Sequence, residues 1–476
     1  MPRLIGYPGE GKNLKLKNIA RCLLAGFSLF LSGCITEMGY FVEDHTLGVL
    51  SNPVSAPGGL LWRVKTFTGE TLDRIQVKFF HFPRLEKIPV PTLDPNRPFM
   101  PSGSMSKWLS KKYGPSVSAE LKLLISGQNF FPRLEERLAQ AKKSIKIHTY
   151  IFDNDDVAKK LADQLKEKSN NKVKTMVILD WFASKHAWNN KAKTLSESFE
   201  VIPNMVSYLK QDSRVNVHRS TNLWLSSDHS KMILIDGQTL FFGGMNIGRE
   251  YRYEWRDMMV EAEGPIVSVF NRAFNWAWLR TRFFSDFLYF VEKEKRKKVS
   301  RRKGAIRCHV LTTTPFRHQI YKSQLHAARS AMHHIYVENP YLWNHRFIYA
   351  LCQARKRGVD VRVTVPSRLD FAMFQGATSH AINTLLHHGV RVFLYPGMTH
   401  VKAAVYDDWV CFGSANFDDL SMHKNYEINL STDDPSFARK MEEDLLLKGQ
   451  AISREIRKPV PVTFFDSLSW EIKDYL

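Results

Sequence analysis

The sequence predicts an α/β protein made of two duplicated domains, each a mainly parallel sheet flanked by helices, packed as a pseudo-two-fold pair around one shared site. Three observations support this class. A five-element polar pattern occurs twice, and its two histidines lie 171 residues apart, at positions 229 and 400. In both halves an amphipathic helix, a strand, a second helix and a second strand precede the pattern. The strands are rich in valine, which is typical of parallel strands buried on both faces.

The helix and strand order is visible in two pairs of segments. In the first half, residues 137–155 (RLAQAKKSIKIHTYIFDND) and residues 159–180 (KKLADQLKEKSNNKVKTMVILD) each read as a helix followed by a strand. In the second half, residues 324–342 (QLHAARSAMHHIYVENPYL) and residues 349–366 (YALCQARKRGVDVRVTVP) repeat this order. Successive strands separated by helices favour parallel pairing. We expect the two halves to pack face to face and to contribute their motifs to one cleft.

The first polar pattern begins at Asp228 and reads DHSKMILIDGQTLFFGGMN. Its histidine, His229, and its lysine, Lys231, are two residues apart, so on a strand they point to the same side. A nucleophile or base beside a fixed positive charge suits an anionic substrate such as a phosphate. Asp236, a glycine pair and Asn246 complete the pattern. One such pair would carry little weight in a chain with 17 histidines.

The second polar pattern reads HVKAAVYDDWVCFGSANFDD from residue 400. It repeats the histidine, the lysine, the aspartate, the Gly-Ser pair and the asparagine, and only two histidines of the chain have a lysine two residues later. The pattern elements are His400, Lys402, Asp407, Ser414 and Asn416. Five residues separate Asp407 from Gly413, where the first copy has six, so the local loop geometry should differ. The repetition indicates two matching half-sites.

These motifs resemble those of the phospholipase D superfamily, in which a His-x-Lys pair is followed by an aspartate, a glycine-rich turn and an asparagine. Four further phrases are similar to bacterial cardiolipin synthases: TYIFDND at 149–155, WRD at 255–257, NPYL at 339–342 and RGVDVRV at 357–363. The resemblance covers roughly residues 120 to 445. It implies duplicated phospholipase D-like domains and transfer of a phosphatidyl group to phosphatidylglycerol through a phosphohistidine.

The resemblance also implies a role for each motif residue. His229 would be the nucleophile and His400 the general acid/base, although the spacing itself does not distinguish them. Asp257 and Glu427 would orient the two imidazoles. The residues expected at the phosphate are Lys231, Lys402, Asn246, Asn416 and Ser414. Asp236 and Asp407 belong to the catalytic motif, but their positions where the chain turns favour a structural role. No metal or other cofactor is expected, because the lysines supply positive charge.

The formal net charge of +21 indicates an acidic partner, which is an anionic phospholipid surface, nucleic acid or both. Three alternatives to the transferase therefore stay open. A phospholipase D or phosphodiesterase would use water as the acceptor. A nuclease of the superfamily would bind nucleic acid, although a simple nuclease needs only one motif per chain. A binding protein on an inactive scaffold is disfavoured by the completeness of both motifs. The sequence identifies no accessory protein.

The N-terminus has the charge-then-apolar order of an export signal. Basic residues precede the apolar run at 22–34 (CLLAGFSLFLSGC), which is too short to span a bilayer. Its end, LSGC, resembles a lipoprotein lipobox, which implies cleavage before Cys34 and acylation of the Cys34 thiol. Ile35 follows, and the absence of an aspartate there favours the outer membrane. We expect a lipid-anchored protein of the bacterial cell envelope, on the periplasmic face.

Composition divides the chain into six parts. An export signal occupies 1–33, and a lead-in rich in proline and glycine occupies 34–115. The first phospholipase D-like domain is expected at 116–290 and the second at 305–450, with a C-terminal tail at 451–476. Between the domains, the linker at 291–304 contains seven basic residues from Lys295 to Lys303. This linker is either a solvated connection or a contact with anionic lipid or nucleic acid.

Overall fold

The computed structural model describes residues 83–220, 227–281, 305–370 and 375–463. The expected export signal, the lipidation site Cys34 and the basic linker at 291–304 lie outside these residues. Within the described ranges, sixteen strands form one continuous mixed sheet with helices on its faces. No helix in these ranges is long and apolar enough to cross a membrane.

Helices α1 (Pro83–Glu86) and α2 (Ser104–Tyr113) precede the first half. The strands of the first half are β1 (Val117–Ile125), β2 (Ser144–Thr149), β3 (Lys174–Asp180), β4 (Asn216–Ser220), β5 (Met232–Ile235), β6 (Thr239–Gly243) and β7 (Met258–Glu263). Its helices are α3 (Gly127–Gln140), α4 (Asp156–Asn170), α5 (Trp181–Trp188), α6 (Met205–Lys210) and α7 (Ile266–Arg280), with a π-helical turn at Glu250–Glu254.

The strands of the second half are β8 (Ile306–Thr314), β9 (Arg317–His318), β10 (His334–Glu338), β11 (Asp360–Pro366), β12 (Arg391–Tyr395), β13 (Ala403–Tyr406), β14 (Trp409–Gly413), β15 (Glu427–Thr432) and β16 (Arg454–Ile456). Its helices are α8 (Gln319–Ser330), α9 (His345–Lys356), α10 (Gln375–His387), α11 (Pro435–Lys440) and α12 (Lys448–Ala451). π-helical segments lie at Leu420–Lys424 and Met441–Leu447.

The strand order shows the duplication directly. From the central β1–β8 pair, the first half runs β1-β7-β6-β5-β2-β3-β4 and the second runs β8-β15-β14-β13-β10-β11-β12. Each strand of the first half therefore has a counterpart at the same place in the second half, which adds β9 beside β8 and β16 beside β12. β1 and β8 pair in antiparallel fashion, with Val117 opposite Cys308 and Ala119 opposite Ile306. This pairing joins the two halves into one sheet.

The mixed α/β class and the duplication are confirmed, but the expectation of mainly parallel strands needs correction. Only β2–β3–β4 and β10–β11–β12 pair in parallel among the strands described. The segments that follow the two histidines instead form the antiparallel strands β5–β6–β7 and β13–β14–β15, in which β5–β6 and β13–β14 are hairpins. The two hairpins have connections of two or three residues, which allow only antiparallel pairing. The long-range pairs such as β1–β7, β8–β15, β2–β5 and β10–β13 are antiparallel as well, so most of the sheet is antiparallel.

The unequal spacing of the two motifs is absorbed in the hairpin turns. Ile235 pairs with Thr239, which leaves three residues in the first turn. Tyr406 pairs with Trp409, which leaves two residues in the second. The one-residue difference therefore ends at the turn, and the motif residues on either side of it keep equivalent positions in the two halves.

The two halves share a core as well as a sheet. Phe242 on β6 and Phe412 on β14 stack with ring centroids 5.5 Å apart, and Phe270 of α7 packs on Phe242 at 5.0 Å. This shared apolar layer lies between the faces of the two half-sheets, as face-to-face packing requires. On the outer faces, α3 and α4 cover the first half, and α8 and α9 cover the second.

Two boundaries differ from those expected. The lead-in at 34–115 was expected to be irregular, yet α2 places Met105 and Leu109 in the outer core of the second half. The tail was expected from residue 451, yet β16 pairs in antiparallel fashion with β12. In both cases short apolar stretches find a partner surface that local composition does not reveal.

Candidate active site

The first histidine is held by residues of the second half. Nδ1 of His229 lies 3.1 and 3.2 Å from the two carboxylate oxygens of Glu427, and 3.0 Å from the backbone oxygen of Ser414. The backbone N–H of His229 donates to the carbonyl of Tyr426 at 2.9 Å. An Nδ1–H held by a carboxylate leaves the lone pair of Nε2 available. His229 is therefore arranged as a nucleophile or base.

The second histidine has the reciprocal arrangement. Nδ1 of His400 lies 2.6 Å from Oδ2 of Asp257, which precedes β7 in the first half. The backbone N–H of His400 donates to the carbonyl of Arg256 at 2.6 Å. Each imidazole is thus oriented by a carboxylate from the opposite half, and we call His229–Glu427 and His400–Asp257 the crossed dyads. This exchange places both motifs in one site.

The two motif lysines lie in the same buried region. Lys231 Nζ donates to the carbonyl of His229 at 2.6 Å, and Lys402 Nζ donates to the carbonyl of His400 at 2.8 Å. Their exposed fractions are 1% and 2%. Lys231 Nζ also lies 5.2 Å from the ring centroid of Tyr150. Each lysine therefore places its charge next to the histidine of its own motif.

Burial lowers the pKa of both motif lysines. It lowers the pKa of Lys231 to about 7, although Glu427 opposes the shift. It lowers the pKa of Lys402 to about 8, against the effect of Asp257. A bound anion would restore the charged form, because an opposite charge favours ionisation. The site is therefore electrostatically suited to a phosphate.

The histidines are shifted toward their neutral forms. Burial lowers the pKa of His229, although Glu427 opposes the shift. Burial and then Lys402 hold the pKa of His400 well below its ordinary value. Burial also raises the pKa of Asp257 to about 7, against the effect of Lys402. A neutral imidazole can attack an electrophile, and a carboxyl that titrates near neutrality can support proton transfer through its histidine partner.

The two motif asparagines differ in their contacts. Asn246 accepts hydrogen bonds from the backbone N–H of Ile151 at 3.1 Å and from the Thr149 hydroxyl at 3.3 Å. Its amide nitrogen donates to the Tyr251 hydroxyl at 2.8 Å. Asn416 is buried, and within the described residues its side-chain oxygen has no hydrogen-bond partner. Asn246 therefore stabilises the surrounding loop, whereas Asn416 keeps hydrogen-bonding capacity.

Ser414 holds the carboxylate of the first crossed dyad. Its hydroxyl donates to Oε2 of Glu427 at 2.5 Å and accepts the backbone N–H of Ile428 at 3.0 Å. The corresponding residue of the first half is Gly244, where an added Cβ would lie 2.4 Å from Oδ1 of Asp257. The Ser414 hydroxyl therefore fixes the carboxylate of Glu427. The carboxylate of Asp257 instead packs against Gly244, where a side chain would displace it.

The motif aspartates Asp236 and Asp407 occupy the hairpin turns with φ of 54° and 52°. Seven residues of extended chain place each of them roughly 20 Å from the histidine of its own motif. Their carboxylates accept backbone N–H groups, at 2.7–2.9 Å from Lys142, Lys143 and Ser144 and at 2.7–3.0 Å from Met100, Met332, His333 and His334. These contacts support a structural role and not a catalytic one.

The sequence did not identify several side chains that contact the residues next to the crossed dyads. In the first half-site, Arg280 contacts Asp228 at 2.6 Å, and its guanidinium lies 4.1 Å from the ring centroid of Tyr426. His148 lies 3.5 Å from the same aspartate. Asp228 and Tyr426 immediately precede His229 and Glu427 in the chain. Arg280 carries no local signal, because only the folded α7 brings it to Asp228.

A different set of residues supports the second half-site. Nε of Arg256 donates to Glu338 at 3.0 Å, and the hydroxyl of Thr399 donates to the same carboxylate at 2.5 Å. Arg256 and Thr399 immediately precede Asp257 and His400. The WRD phrase contains this arginine, so inspection of that phrase could have identified it.

In comparison with known proteins, one family model matches a segment in each half of the chain. A family model described as "Cardiolipin synthase, PLD-like domain" matches residues 134–278 and 322–446, which is more than half of the chain. The chain is 30% identical over 347 residues to Cardiolipin synthase A of Pseudomonas putida (strain GB-1), covering 68% of this chain and 67% of that protein. The chain belongs to the phospholipase D-like cardiolipin synthase family. It is accordingly an enzyme, a phosphatidyltransferase of the phospholipase D type.

Further relatives agree with this cardiolipin synthase membership. Cardiolipin synthase A of Pseudomonas fluorescens (strain SBW25) is 29% identical over 360 residues, covering 71% of this chain and 70% of that protein. The crystal structure of phosphatidylserine synthase from Haemophilus influenzae Rd KW20 superposes with a TM-score of 0.58 at 12% identity. It covers 76% of this chain and 94% of that one. This likeness shows a common fold.

Proposed function

We propose that this enzyme makes cardiolipin by transferring a phosphatidyl group from a donor phospholipid to the hydroxyl of phosphatidylglycerol, with release of a small alcohol. The observation that carries the proposal is the pair of crossed dyads with a buried lysine beside each histidine. The likeness to Cardiolipin synthase A of P. putida supports the choice of substrates.

In the first step, Nε2 of His229 attacks the phosphorus atom of the donor. The nitrogen–phosphorus bond forms while the phosphorus–oxygen bond to the leaving alcohol breaks. The His400–Asp257 dyad enters this step with one extra proton, and Nε2 of His400 donates that proton to the departing oxygen. Glu427 holds Nδ1–H and stabilises the positive charge that grows on the ring. Lys231 and Lys402 stabilise the negative charge on the phosphoryl oxygens.

In the second step, the hydroxyl of phosphatidylglycerol gives its proton to Nε2 of His400, and its oxygen attacks phosphorus. The new phosphorus–oxygen bond forms while the bond to His229 breaks, which regenerates the free enzyme. The orientation of His400 comes from Asp257, whose carboxyl is 2.6 Å from Nδ1. The lysines supply the positive charge, so this scheme uses no metal or other cofactor.

The difference between the dyads supports His229 as the nucleophile. His400 has the shorter contact with its carboxylate, and burial raises the pKa of that carboxyl, Asp257, to about 7. A group that loses a proton in one step and regains one in the next needs such a poised partner. Nδ1 of His229 is instead shared between Glu427 and the carbonyl of Ser414, which fixes the ring orientation for attack.

Burial of the site favours a lipid acceptor over water. Both histidines and both lysines are more than nine-tenths buried. A site that excludes water protects a covalent phosphohistidine from hydrolysis until the acceptor hydroxyl arrives. This favours the transferase over the phospholipase D or phosphodiesterase alternative.

We also propose that the enzyme is anchored in the cell envelope through an acylated Cys34. This part of the proposal rests on the LSGC sequence and on the basic and apolar order before it. It includes the outer membrane location, which follows from the residue after Cys34. The division at 116–290 and 305–450 into two phospholipase D-like domains is kept, with α2 and β16 added to the second.

The test is lipid analysis after incubation of the purified full-length protein with vesicles of phosphatidylglycerol and phosphatidylethanolamine. We expect the wild type to form cardiolipin, and His229→Ala and His400→Ala to form none. His387→Ala is the matched control, since His387 is exposed on α10 outside the site and its loss should leave the yield unchanged.

Other outcomes would replace the proposal. Phosphatidic acid without cardiolipin would assign a hydrolase. Cleavage of added DNA with no change in either lipid would assign a nuclease and attribute the net charge of +21 to nucleic acid.

A further inference from the structure

Helix α5 and the chain that follows it have an unusual composition for a surface segment. From Trp181 to Ser196 (WFASKHAWNNKAKTLS) there is no aspartate or glutamate, while three lysines and three aromatic residues are present. The lysines Lys185, Lys191 and Lys193 are all exposed. Aromatic and lysine side chains together are the composition found where proteins meet the headgroup region of a membrane.

One aromatic residue of this segment points outward. Phe182 is 66% exposed, more than any other large hydrophobic residue in the described ranges. Lys185 and His186 follow three and four residues later and are exposed too, so these three side chains share one helix face. The opposite face carries the buried Ser184. α5 therefore presents an apolar ring bordered by positive charge.

The buried face of α5 packs behind residues 150–152, a segment that forms a wall of the proposed active site through Tyr150. The hydroxyl of Ser184 accepts the backbone N–H of Phe152 at 3.1 Å, and the indole N–H of Trp188 donates to the carbonyl of Phe152 at 2.8 Å. Two residues before Phe152, the ring of Tyr150 packs edge-on against the His229 imidazole, with centroids 4.7 Å apart. The exposed face of α5 is thus about one helix diameter from this wall.

We propose that the exposed face of α5, with Phe182, Lys185, Lys191 and Lys193, docks on an anionic phospholipid bilayer. Phe182 enters the headgroup layer and the lysines contact the lipid phosphates. Docking there holds the His229 side of the site against the surface that contains the substrate. The choice of a bilayer as partner rests on the proposed lipid function, whereas the surface itself is defined by exposure and charge.

The aromatic neighbours of Phe182 favour a bilayer over nucleic acid. The Trp181 ring is covered by the guanidinium of Arg219 at 4.5 Å and by Trp188 at 5.7 Å. One isolated ring can enter a headgroup layer, but binding to single-stranded nucleic acid uses successive rings as stacking platforms. Lys185, Lys191 and Lys193 lack the planar guanidinium fork that binds phosphate bidentately, and the guanidinium of Arg219 is already stacked on Trp181.

The test is vesicle flotation with the mature chain, residues 34–476, carrying Cys34→Ala, so that neither the apolar export signal nor an acyl anchor can mask surface binding. We expect Phe182→Ala to lower the partition coefficient on phosphatidylglycerol/phosphatidylethanolamine vesicles about tenfold. The triple variant Lys185→Glu/Lys191→Glu/Lys193→Glu should lower it by at least about tenfold. Binding to uncharged phosphatidylcholine vesicles should be weak for every protein.

Matched variants control for exposure and for charge. Ile452→Ala removes a 58% exposed apolar side chain next to β16, at the opposite edge of the sheet from β3 and β4. Lys172→Glu/Lys174→Glu/Lys210→Glu makes the same charge change with three exposed lysines at the beginning of β3 and before β4, whereas α5 follows the end of β3. Both controls should bind vesicles like the Cys34→Ala parent.

Two readouts separate this proposal from the proposed function. The α5 variants should turn over soluble short-chain phosphatidylglycerol at the rate of the parent, because they leave the crossed dyads intact. If vesicle binding depends on α5 but no cardiolipin forms, the proposed transferase function is wrong and the proposed docking surface is supported. Vesicle binding unaffected by both α5 variants would overturn the surface, as would loss of DNA binding in the lysine variant with unchanged vesicle binding.

Discussion

Oδ2 of Asp257 lies 2.6 Å from Nδ1 of His400, although the two residues belong to different halves of a duplicated chain. Glu427 of the second half makes the reciprocal contact with His229 of the first. The isolated backbone bridges Asp228–Tyr426 and Arg256–Thr399 bring these partners together. Because neither half contains a complete dyad, the proposed catalytic site exists only in the assembled pair of halves.

Replacement of Asp257 should affect chemistry much more than folding. In Asp257→Asn the side chain keeps its shape but loses the charge that stabilises a protonated His400. We expect kcat for cardiolipin formation to fall about 1,000-fold. Glu427→Gln should be comparably impaired, because it removes the charge behind His229. Steady-state kinetics on mixed vesicles check both values.

Asp257→Asn should lower kcat but should not lower the stability of the protein at pH 8. The pKa of Asp257 is about 7 in the folded protein, because burial disfavours its charge, and an unfolded aspartate titrates at about 3.9. This group therefore contributes stability at acid pH that is lost as the pH rises toward 7 and above. The Asn variant should be at least as stable as the wild type at pH 8. A lower melting temperature at pH 8 would indicate a structural role for the carboxylate.

The pH dependence of the reaction should have an alkaline limb set by the lysines. Burial lowers the pKa of Lys231 to about 7 and that of Lys402 to about 8, and both must be charged to hold the phosphate. We expect kcat/KM to fall as the pH rises through 7 to 8. The limb of kcat should lie at higher pH, since the bound phosphate raises both lysine pKa values. Coincident limbs in the two profiles would contradict this assignment.

Gly244→Ala should separate the position of Asp257 from its charge. An added Cβ at residue 244 would lie 2.4 Å from Oδ1 of Asp257, so the carboxylate must move away from His400. We expect kcat to fall at least about tenfold. Gly237→Ala is the control for destabilisation, because it strains a turn residue with φ of 67° but brings the added Cβ within 4 Å of no atom. Equal losses in both variants would show that general destabilisation is the cause.

Asp407→Asn should destabilise the protein and leave its chemistry unchanged. The Asp407 carboxylate accepts four backbone N–H groups, and an asparagine offers only one oxygen to them. Asparagine tolerates the positive φ of this position, so the backbone conformation is kept. We expect the free energy of unfolding to fall by about 2–3 kcal/mol. kcat per folded molecule, measured below the melting transition, should stay within about twofold of the wild type.

The sequence was sufficient to predict the duplication and the paired motifs. The two His-x-Lys pairs, each followed by the same residue types at similar spacing, are a local sequence signal. In the structure each lysine does contact the histidine of its own motif, as that spacing predicts. The crossing of Asp257 and Glu427 could not be predicted, because local spacing does not show which half supplies each carboxylate. The contact of Arg280 with Asp228 was hidden for the same reason.

The sheet direction shows a second limit of sequence reasoning. Helix and strand order correctly indicated parallel pairing for β2–β3 and β10–β11. The strands after each histidine were also expected to be buried, but their hairpin pairing depends on the turns at Asp236 and Asp407. The Asp407 carboxylate accepts the backbone N–H of Met100, which lies 307 residues away in the chain. A turn residue with a long-range partner cannot be recognised from its neighbours.

The central claim, a shared site with distinct roles for its two histidines, is tested most directly by the burst of 4-nitrophenolate from phosphatidyl-4-nitrophenol. This leaving group needs no proton, so His400→Ala can still form the phosphohistidine but cannot activate an acceptor. We predict a burst of about one equivalent per enzyme from His400→Ala and none from His229→Ala. A burst from His229→Ala, or equal bursts from both variants, would contradict the account.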